Sequence, residues 1–362
     1  MLKLLKLINF RNHKNRTIEF HKNCTILLAD NGSGKTNILE AISLLAIQKS
    51  FRSVTEYEYI DFNIENNYHE EDFAKIESQV SDDKLELLLN KNKRTNRIRK
   101  VLKVNDVLRK KNQRYPLKVI VFSPEDLRLL TGSPTRRREY LDFIISQVDV
   151  EYKNALSAYA KNIKQRNKLL SSIDYQQYLS QKDHYDSSLL FWDNQVVSNA
   201  EIIQAKRSAF IDYINNNIKE YSRIYKGYDL KIVYKQAPIT HDLLRRNRDK
   251  EIVMGVTKFG PQKDDFEMTL FKNGHWLNAK TTISRGEQRI AILILKYIER
   301  DFILSRTGIK PLILLDDIFS ELDNNYRTEL VKFLEGYQSV ITSADENNLP
   351  DVLLCESKVI GI

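Results

Sequence analysis

Between a short hydrophobic run, Thr25 to Leu28, and a stretch with helical spacing, Asn37 to Ala46, stand Ala29-Asp30-Asn31-Gly32-Ser33-Gly34-Lys35-Thr36. Two glycines let successive backbone N–H groups curl toward one point, and a helix that starts directly after them presents its positive end to the same point. A strand, a glycine-rich loop and a helix with Lys-Thr at its start make a phosphate cradle. The chemistry this implies is MgATP binding: Ala29 to Asn37 line the phosphates, Lys35 reaches the β- and γ-phosphates, and Thr36 ligates Mg²⁺. The strict pattern opens with glycine, whereas this chain has Ala29. If that position needed a positive φ, alanine would cost on the order of 1 kcal/mol. An ordinary turn before a helix would look much the same, so a second half of the site matters.

That half is Leu312-Ile-Leu-Leu-Asp316-Asp317, an apolar strand that ends in two carboxylates. Asp316 is expected to hold Mg²⁺ directly or through water, and Asp317 to orient or deprotonate the attacking water, so that Lys35, Asp316 and Asp317 form the predicted catalytic set. Upstream, Ile283-Ser284-Arg285-Gly286-Glu287-Gln288-Arg289 leads into the apolar stretch Ile290 to Ile298. A serine and a glycine at a helix start, about thirty residues before such a strand, resemble the signature motif of ABC-type ATPases. In that family the motif completes the nucleotide site of the opposite subunit, which here implies Ser284, Gly286 and Gln288. A plain helix cap is the bland alternative. Downstream, Ser320-Glu-Leu-Asp323 resembles the D-loop of the same family.

Three zones must position these residues. Up to about residue 125 the chain is rich in short strand-like runs, Val119 to Phe122 among them, and Asn105-Asp106 reads as a hairpin turn within Arg94 to Arg109. Gly132-Ser133-Pro134 then opens a helical zone with Ser at the cap and Pro at the first turn. More than ninety residues follow without Gly or Pro, up to Gly227. Helical spacing of Leu141, Ile144, Ile145 and Val148, and of Leu156, Tyr159 and Ile163, predicts several packed helices; no strict heptad supports a long coiled coil. Strands return from about Tyr228 (Leu230 to Tyr234, Phe266 to Phe271), then alternate with helices. The expected fold is α/β: an ABC-type ATPase head, with a P-loop core and an antiparallel β lobe, over 1–126 and 228–362, and an inserted α-helical arm over 127–227.

The chain of 362 residues carries 57 Lys and Arg against 48 Asp and Glu, a net charge of +9. Between Lys91 and Lys118 there are twelve basic residues and a single acid, Asp106, so this stretch carries +11 and the remainder about −2. Charge so concentrated predicts a polyanionic partner. Arg97, Arg99 and Lys103 alternate along a strand, and with Arg94, Arg109, Lys110 and Lys111 they are the predicted contacts to a DNA backbone, sequence-independent and salt-sensitive. A Lys-rich edge that prevents sheet pairing is the competing explanation. Arg136 to Arg138 are a second candidate, with intramolecular ion pairing as the rival. No apolar run is long enough for a membrane helix and no signal peptide is recognised, so a soluble cytosolic protein is expected. Cys24 and Cys355 are read as buried free thiols.

The stretch Leu-Ile-Asn-Phe10-Arg11-Asn12, Phe122-Ser-Pro-Glu-Asp-Leu127, Gly132-Ser-Pro-Thr-Arg136-Arg137-Arg138, Gln165-Arg-Asn167, Thr257-Lys-Phe-Gly-Pro-Gln-Lys-Asp-Asp265 and the Asp316-Asp317 pair resemble the RecF family of bacterial recombination-mediator ATPases. The likeness runs from the first strand nearly to the end. It implies a head shaped like those of SMC proteins, an ATP-dependent homodimer that binds gapped or duplex DNA, and slow hydrolysis that releases it. RecR, with RecO and RecA acting alongside, are the implied partners in repair, the SOS response and replication, at the bacterial nucleoid. The chain departs from the family at Ala29, at Gln262-Lys263 where His-Arg is commoner, and at Thr342-Ser343 where a switch histidine is commoner in ABC ATPases. A small-substrate P-loop kinase and the ATPase subunit of a transporter remain as other classes. The first leaves Ser284 to Gln288 unexplained, and the second predicts Glu at position 317.

Overall fold

A computed structural model describes residues 1–52, 56–60, 72–92, 95, 97–109, 115–222, 229–272, 274–282 and 284–362. The chain divides into two compact units, residues 1–127 with 296–362 and residues 128–295.

The first unit holds two sheets. Strands β1 (Leu2–Phe10), β2 (His13–Glu19), β4 (Asp72–Val80), β5 (Asp83–Asn92), β6 (Arg97–Val104) and β7 (Val107–Leu108) form an antiparallel sheet in the order β2-β1-β4-β5-β6-β7. Alternation puts one face of it in the core, as in β4, where Ala74, Ile76, Ser78 and Val80 are buried and Phe73 is exposed. The expected hairpin turn is present: Asn105 and Asp106 join β6 to β7 with φ of 52° and 62°, the left-handed pair that asparagine and aspartate tolerate best.

The second sheet is wholly parallel, in the order β14-β3-β13-β12-β8, built from β3 (Cys24–Leu28), β8 (Val119–Phe122), β12 (Leu312–Asp316), β13 (Ser339–Ser343) and β14 (Ser357–Gly361). Its central strands are covered on both faces, which is why Val119 to Phe122 and Leu312 to Leu315 read as unbroken apolar runs. Helix α1 (Lys35–Ile47) is buried on every side and touches both sheets, through β1 and β5 and through β12 and β13. Helices α10 (Asn324–Leu334) and α11 (Asp351–Cys355) make the crossovers β12 to β13 and β13 to β14. Cys24 is buried, but Cys355 is exposed, against expectation: it ends the short helix α11 rather than lying in a strand, and that helix buries only Leu353.

A buried polar knot sits beside β8. The Lys296 ammonium donates to Val121 O at 2.6 Å and lies 3.2 Å from Asp126 and 3.3 Å from Glu299. Burial pushes the Glu299 carboxyl up to about 7, against the pull of Lys296. Lys296 opens the first unit's share of helix α9 (Arg285–Thr307), whose earlier residues belong to the second unit.

In the second unit, α2 (Pro134–Val148), α3 (Val150–Ser172), α4 (Tyr175–Ser180) and α5 (Lys182–Ser222) fill the Gly- and Pro-free stretch, with α3 packed on α5. Four helices match the expectation of several, though α5 alone takes 41 residues. Strands β9 (Asp229–Lys235), β10 (Asp265–Lys272) and β11 (His275–Asn278) form a three-stranded antiparallel sheet, with the short helices α6 (His241–Arg246), α7 (Arg248–Met254) and α8 (Ala279–Thr282). These segments cluster with the arm helices rather than with the head, because β9 packs on α5 and α2 on β10. The compact unit therefore runs to Leu295, beyond the boundary at 227 drawn from the loss of glycine and proline.

Candidate nucleotide site

At the carboxyl ends of the parallel strands the register sets the site. Leu28 pairs with Ser343 and Thr342 with Asp316, so the loop after β3 and the acid pair after β12 flank the end of β13. Gly32 and Gly34 have φ of 86° and 103°, where glycine is needed, and a Cβ on Gly34 would come within 2.5 Å of the Asn12 side chain. Ala29 is not among the residues with positive φ, so the alanine carries no backbone penalty there. The Lys35 ammonium folds back over the loop and donates to Ala29 O and, at 2.9 Å, to Asp30 O.

Thr36 Oγ1 donates to Asp316 Oδ1 at 2.8 Å. Thr342 Oγ1 donates to the same oxygen at 2.9 Å and accepts from Asp317 N at 2.9 Å. One line of hydrogen bonds thus runs from the backbone of Asp317 through Thr342 and Asp316 to the first turn of α1. A hydroxyl and a carboxylate oxygen side by side are the hard oxygen donors Mg²⁺ takes, and the loop above them offers backbone N–H groups to phosphates, so the residues present fit MgATP. Asp317 itself sits at φ 50°, a left-handed conformation rare for a non-glycine residue, which turns the chain off β12 into the 3₁₀ segment Ile318–Glu321. Ser320 Oγ donates to Asp317 O at 2.7 Å and Asp323 caps α10. Thr342, noted in the sequence only as a missing histidine, is thereby a member of the site.

The turn between β1 and β2 buttresses the loop. Asn12 Nδ2 donates to Ser33 O at 2.9 Å, and His13 Nε2 lies 3.2 Å from Gly34 O. Burial lowers the His13 pKa, so the neutral ring is favoured and donates from Nε2. Arg11 makes a two-pronged pair with the fully buried Glu40 of α1, both bonds at 2.9 Å, and Ser50 Oγ donates to the same carboxylate at 2.6 Å. None of these positions was assigned a role from sequence. Their only signal was a polar pair, Arg11-Asn12, at the end of an apolar strand.

Ser284, Gly286 and Gln288 belong to the second unit, at the start of α9. Ser284 and Glu287 cap each other: Glu287 Oε2 accepts from Ser284 N at 2.6 Å and Ser284 Oγ from Glu287 N at 3.3 Å. The bland alternative, a helix cap, is thus present. Gly286 is different, because a Cβ there would meet nothing nearer than Ser284 Oγ at 4.0 Å. Glycine costs a helix roughly 1 kcal/mol relative to alanine, and no described residue stands close enough to demand it at that position.

Of the predicted DNA contacts, Arg97, Arg99 and Lys103 do share the outer face of β6, Arg97 and Arg99 exposed. Lys103 is 3.0 Å from Glu86, whose other oxygen holds Lys75 at 2.9 Å. Burial opposes ionisation of Glu86, but the two lysines outweigh it and lower its pKa. Arg109 departs from that face: its guanidinium stacks 4.5 Å from the ring centre of buried Tyr115. Arg94, Lys110 and Lys111 lie outside the described residues. Arg137 follows the ion-pairing alternative, with Asp265 at 2.6 Å, whereas Arg138 donates to the backbone oxygen of Asp264 at 2.9 Å.

A parallel sheet with a phosphate loop and an acid pair at its carboxyl ends, joined to an antiparallel lobe, defines an ABC-type ATPase head. The RecF/RecN/SMC N terminal domain matches residues 1–352. The chain is 35% identical over 362 residues to the DNA replication and repair protein RecF of Clostridioides difficile (strain 630), covering 95% of this chain and 91% of that one. It is 34% identical over 357 residues to the RecF of Acetivibrio thermocellus, covering 94% and 92%. A solved structure of the recombination mediator protein RecF-ATPrS in the RecFOR pathway matches with a TM-score of 0.80 at 27% identity, over 97% of this chain and 94% of that one. An Smc head domain from Pyrococcus furiosus shares the fold, with a TM-score of 0.50 at 16% identity over 99% and 92%. This chain belongs to the RecF family. That membership sets aside the kinase and transporter-subunit readings. Among the described residues no helix is long and apolar enough to cross a membrane.

Proposed function

We propose that this chain is an ATP-dependent DNA-binding protein of recombinational repair and replication-fork maintenance, a nucleotide-gated clamp with weak, DNA-stimulated ATPase activity. The observation that carries this is the hydrogen-bonded line Asp317–Thr342–Asp316–Thr36, which ties the phosphate loop to the strand that bears the acids. Bound MgATP supplies a hydrolysable phosphoanhydride and the charge that a second subunit recognises. Lys35 contributes the ammonium for the β- and γ-phosphates, Thr36 and Asp316 the oxygens for the cation, and Asp317 orients the attacking water. Asp30, Asn31, Ser33 and Asn37 complete the loop's lining.

Gly286 supports a composite site: a glycine at an exposed helix start, with no described residue crowding its Cβ position, suits close approach by another molecule's nucleotide. Ser284 and Gln288 flank it. Arg97 and Arg99 supply a sequence-independent grip on gapped or duplex DNA. Thr342 in place of a histidine suits slow turnover and a timed release. The pathway named for the RecF-ATPrS structure supports RecR and RecO as partners. RecA loading, in the bacterial cytosol, is the proposed outcome.

Sedimentation with and without MgATP, then with each DNA form, tests this. ATP should shift the chain to a dimer, and the dimer alone should bind DNA tightly. Lys35→Ala and Ser284→Arg should both stay monomeric; dimerisation of either at the wild-type ATP concentration removes the composite site.

A further inference from the structure

Asn12 occupies the turn between β1 and β2, far in sequence from any residue expected to touch phosphate, yet its amide lies against the phosphate loop. Its Nδ2 donates to Ser33 O at 2.9 Å, and its Oδ1 accepts from Asn37 Nδ2, also at 2.9 Å. Asn37 is held in turn by Arg52 at 3.2 Å. The same amide fills the space where a side chain on Gly34 would stand. The turn cannot drift, because Arg11 is locked to Glu40, a residue of α1 with no exposed surface.

A peptide unit is planar, and among the described residues all are trans, so the C=O of Ser33 and the N–H of Gly34 point to opposite sides. A hydrogen bond that holds the Ser33 carbonyl toward Asn12 therefore turns the Gly34 N–H away from the β1–β2 turn. His13 does the same to the next peptide: its Nε2, 3.2 Å from Gly34 O, leaves the Lys35 N–H facing the other way. Two consecutive N–H groups are thus aimed before any anion arrives. Gly32 and Gly34 allow this loop shape, but a glycine pair allows many others as well. Something must select one.

We propose that Asn12, with His13, is a positioning residue that presets the Ser33-Gly34-Lys35 backbone for the phosphate chain of ATP. It touches the loop and not the reacting atoms. The role rests on the ATP-binding reading above, and it predicts a penalty that follows the phosphates rather than the base or the fold.

The test compares wild type, Asn12→Ala and Asn12→Leu, the last matched in shape but unable to donate. ATP and adenosine are titrated against each, and circular dichroism and melting are followed on the same samples. Loss of one preset hydrogen bond should weaken ATP binding roughly three- to tenfold, with adenosine binding and melting temperature unchanged. ATP binding by Asn12→Leu at the wild-type level overturns the proposal. So does equal loss for ATP and adenosine, or an Asn12→Leu chain that no longer folds, since either would make the residue a structural support. A wild-type chain that binds no ATP would instead remove the reading of the site on which this role rests.

Discussion

Thr36 and Asp316, separated by 280 positions in the chain, share a hydrogen bond of 2.8 Å. The bond exists because β3 and β12 are both neighbours of β13 and end within one residue of each other, so that the first turn of α1 meets the acid at the strand end. Thr342 completes the arrangement from β13 itself.

Thr342→Val should therefore behave as a fault in the cation site without touching nucleotide directly. Removing the hydroxyl leaves the Asp316 carboxylate held by Thr36 but no longer by Thr342, and Asp317 N without its acceptor. Supporting partners of metal ligands typically contribute ten- to a hundredfold. The expected outcome is a rise of at least tenfold in the Mg²⁺ needed for half-maximal ATP hydrolysis, read from a magnesium titration at saturating ATP.

Ala29→Gly restores the strict loop pattern, yet no gain in ATP affinity is expected. Ala29 does not need a positive φ, so glycine relieves no strain and only adds freedom to the unfolded chain. Urea denaturation should show a loss of about 0.5–1 kcal/mol, while the dissociation constant for ATP stays within about twofold. A large improvement in affinity would mean that the loop changes conformation on binding.

On the basic face, Arg97→Glu with Arg99→Glu should weaken DNA binding and lower the slope of log K against log salt by about 2 if each side chain meets one phosphate. Lys103→Ala should do less, because Glu86 already neutralises that lysine at 3.0 Å. Fluorescence anisotropy across a salt series separates the two effects. An unchanged slope in the double variant would remove this face from DNA contact.

The buried Glu299 predicts a pH signature. Its carboxyl is raised from an ordinary 4.5 to about 7, so the folded state holds the proton more tightly than the unfolded state. Stability from this group is fully present below about 4.5 and is lost as pH rises to about 7. The loss is on the order of 3 kcal/mol. Urea unfolding of wild type and Glu299→Gln at pH 5, 6 and 7 should show a falling curve for the first and a flatter one for the second. Lys296 and Asp126 face the carboxyl, and Lys296, its pKa raised from 10.5, keeps its charge over that range.

In the second unit, Arg166 is fully buried between Asp193 at 2.8 Å and Glu251 at 2.7 Å, and it also donates to Thr257 Oγ1 at 2.6 Å. Arg166→Ala leaves the buried Glu251 carboxylate without its cation, while Asp193 keeps Arg248 at 2.7 Å. Loss of one member of such a buried group costs about 3–5 kcal/mol, which chemical denaturation of the variant would register as an early-melting helical unit.

The sequence alone carried the local features of this protein. A phosphate loop is legible because its glycines, lysine and threonine are adjacent, and because the strand before it and the helix after it have distinct periods. The parallel strands were legible for a similar reason: burial on both faces leaves unbroken apolar runs such as Leu312 to Leu315. The hairpin at Asn105-Asp106 announced itself through residues that accept left-handed backbone. What the tertiary structure decided was every relation across the chain. Arg166-Asn167 and Thr257 are far apart in sequence, and only folding made them partners, with Thr257 Oγ1 2.7 Å from Asn167 Oδ1. Arg109 looked like its basic neighbours until it stacked on Tyr115, and Cys355 looked buried until its helix proved to cover a single residue. Asn12 showed in the sequence only as part of a polar pair after an apolar strand, because a positioning contact depends on where a turn lands rather than on the identity of its neighbours. Hydrogen bonds act over about 3 Å and leave no periodicity along the chain, so it was left to the folded state to show which side chains hold the loop.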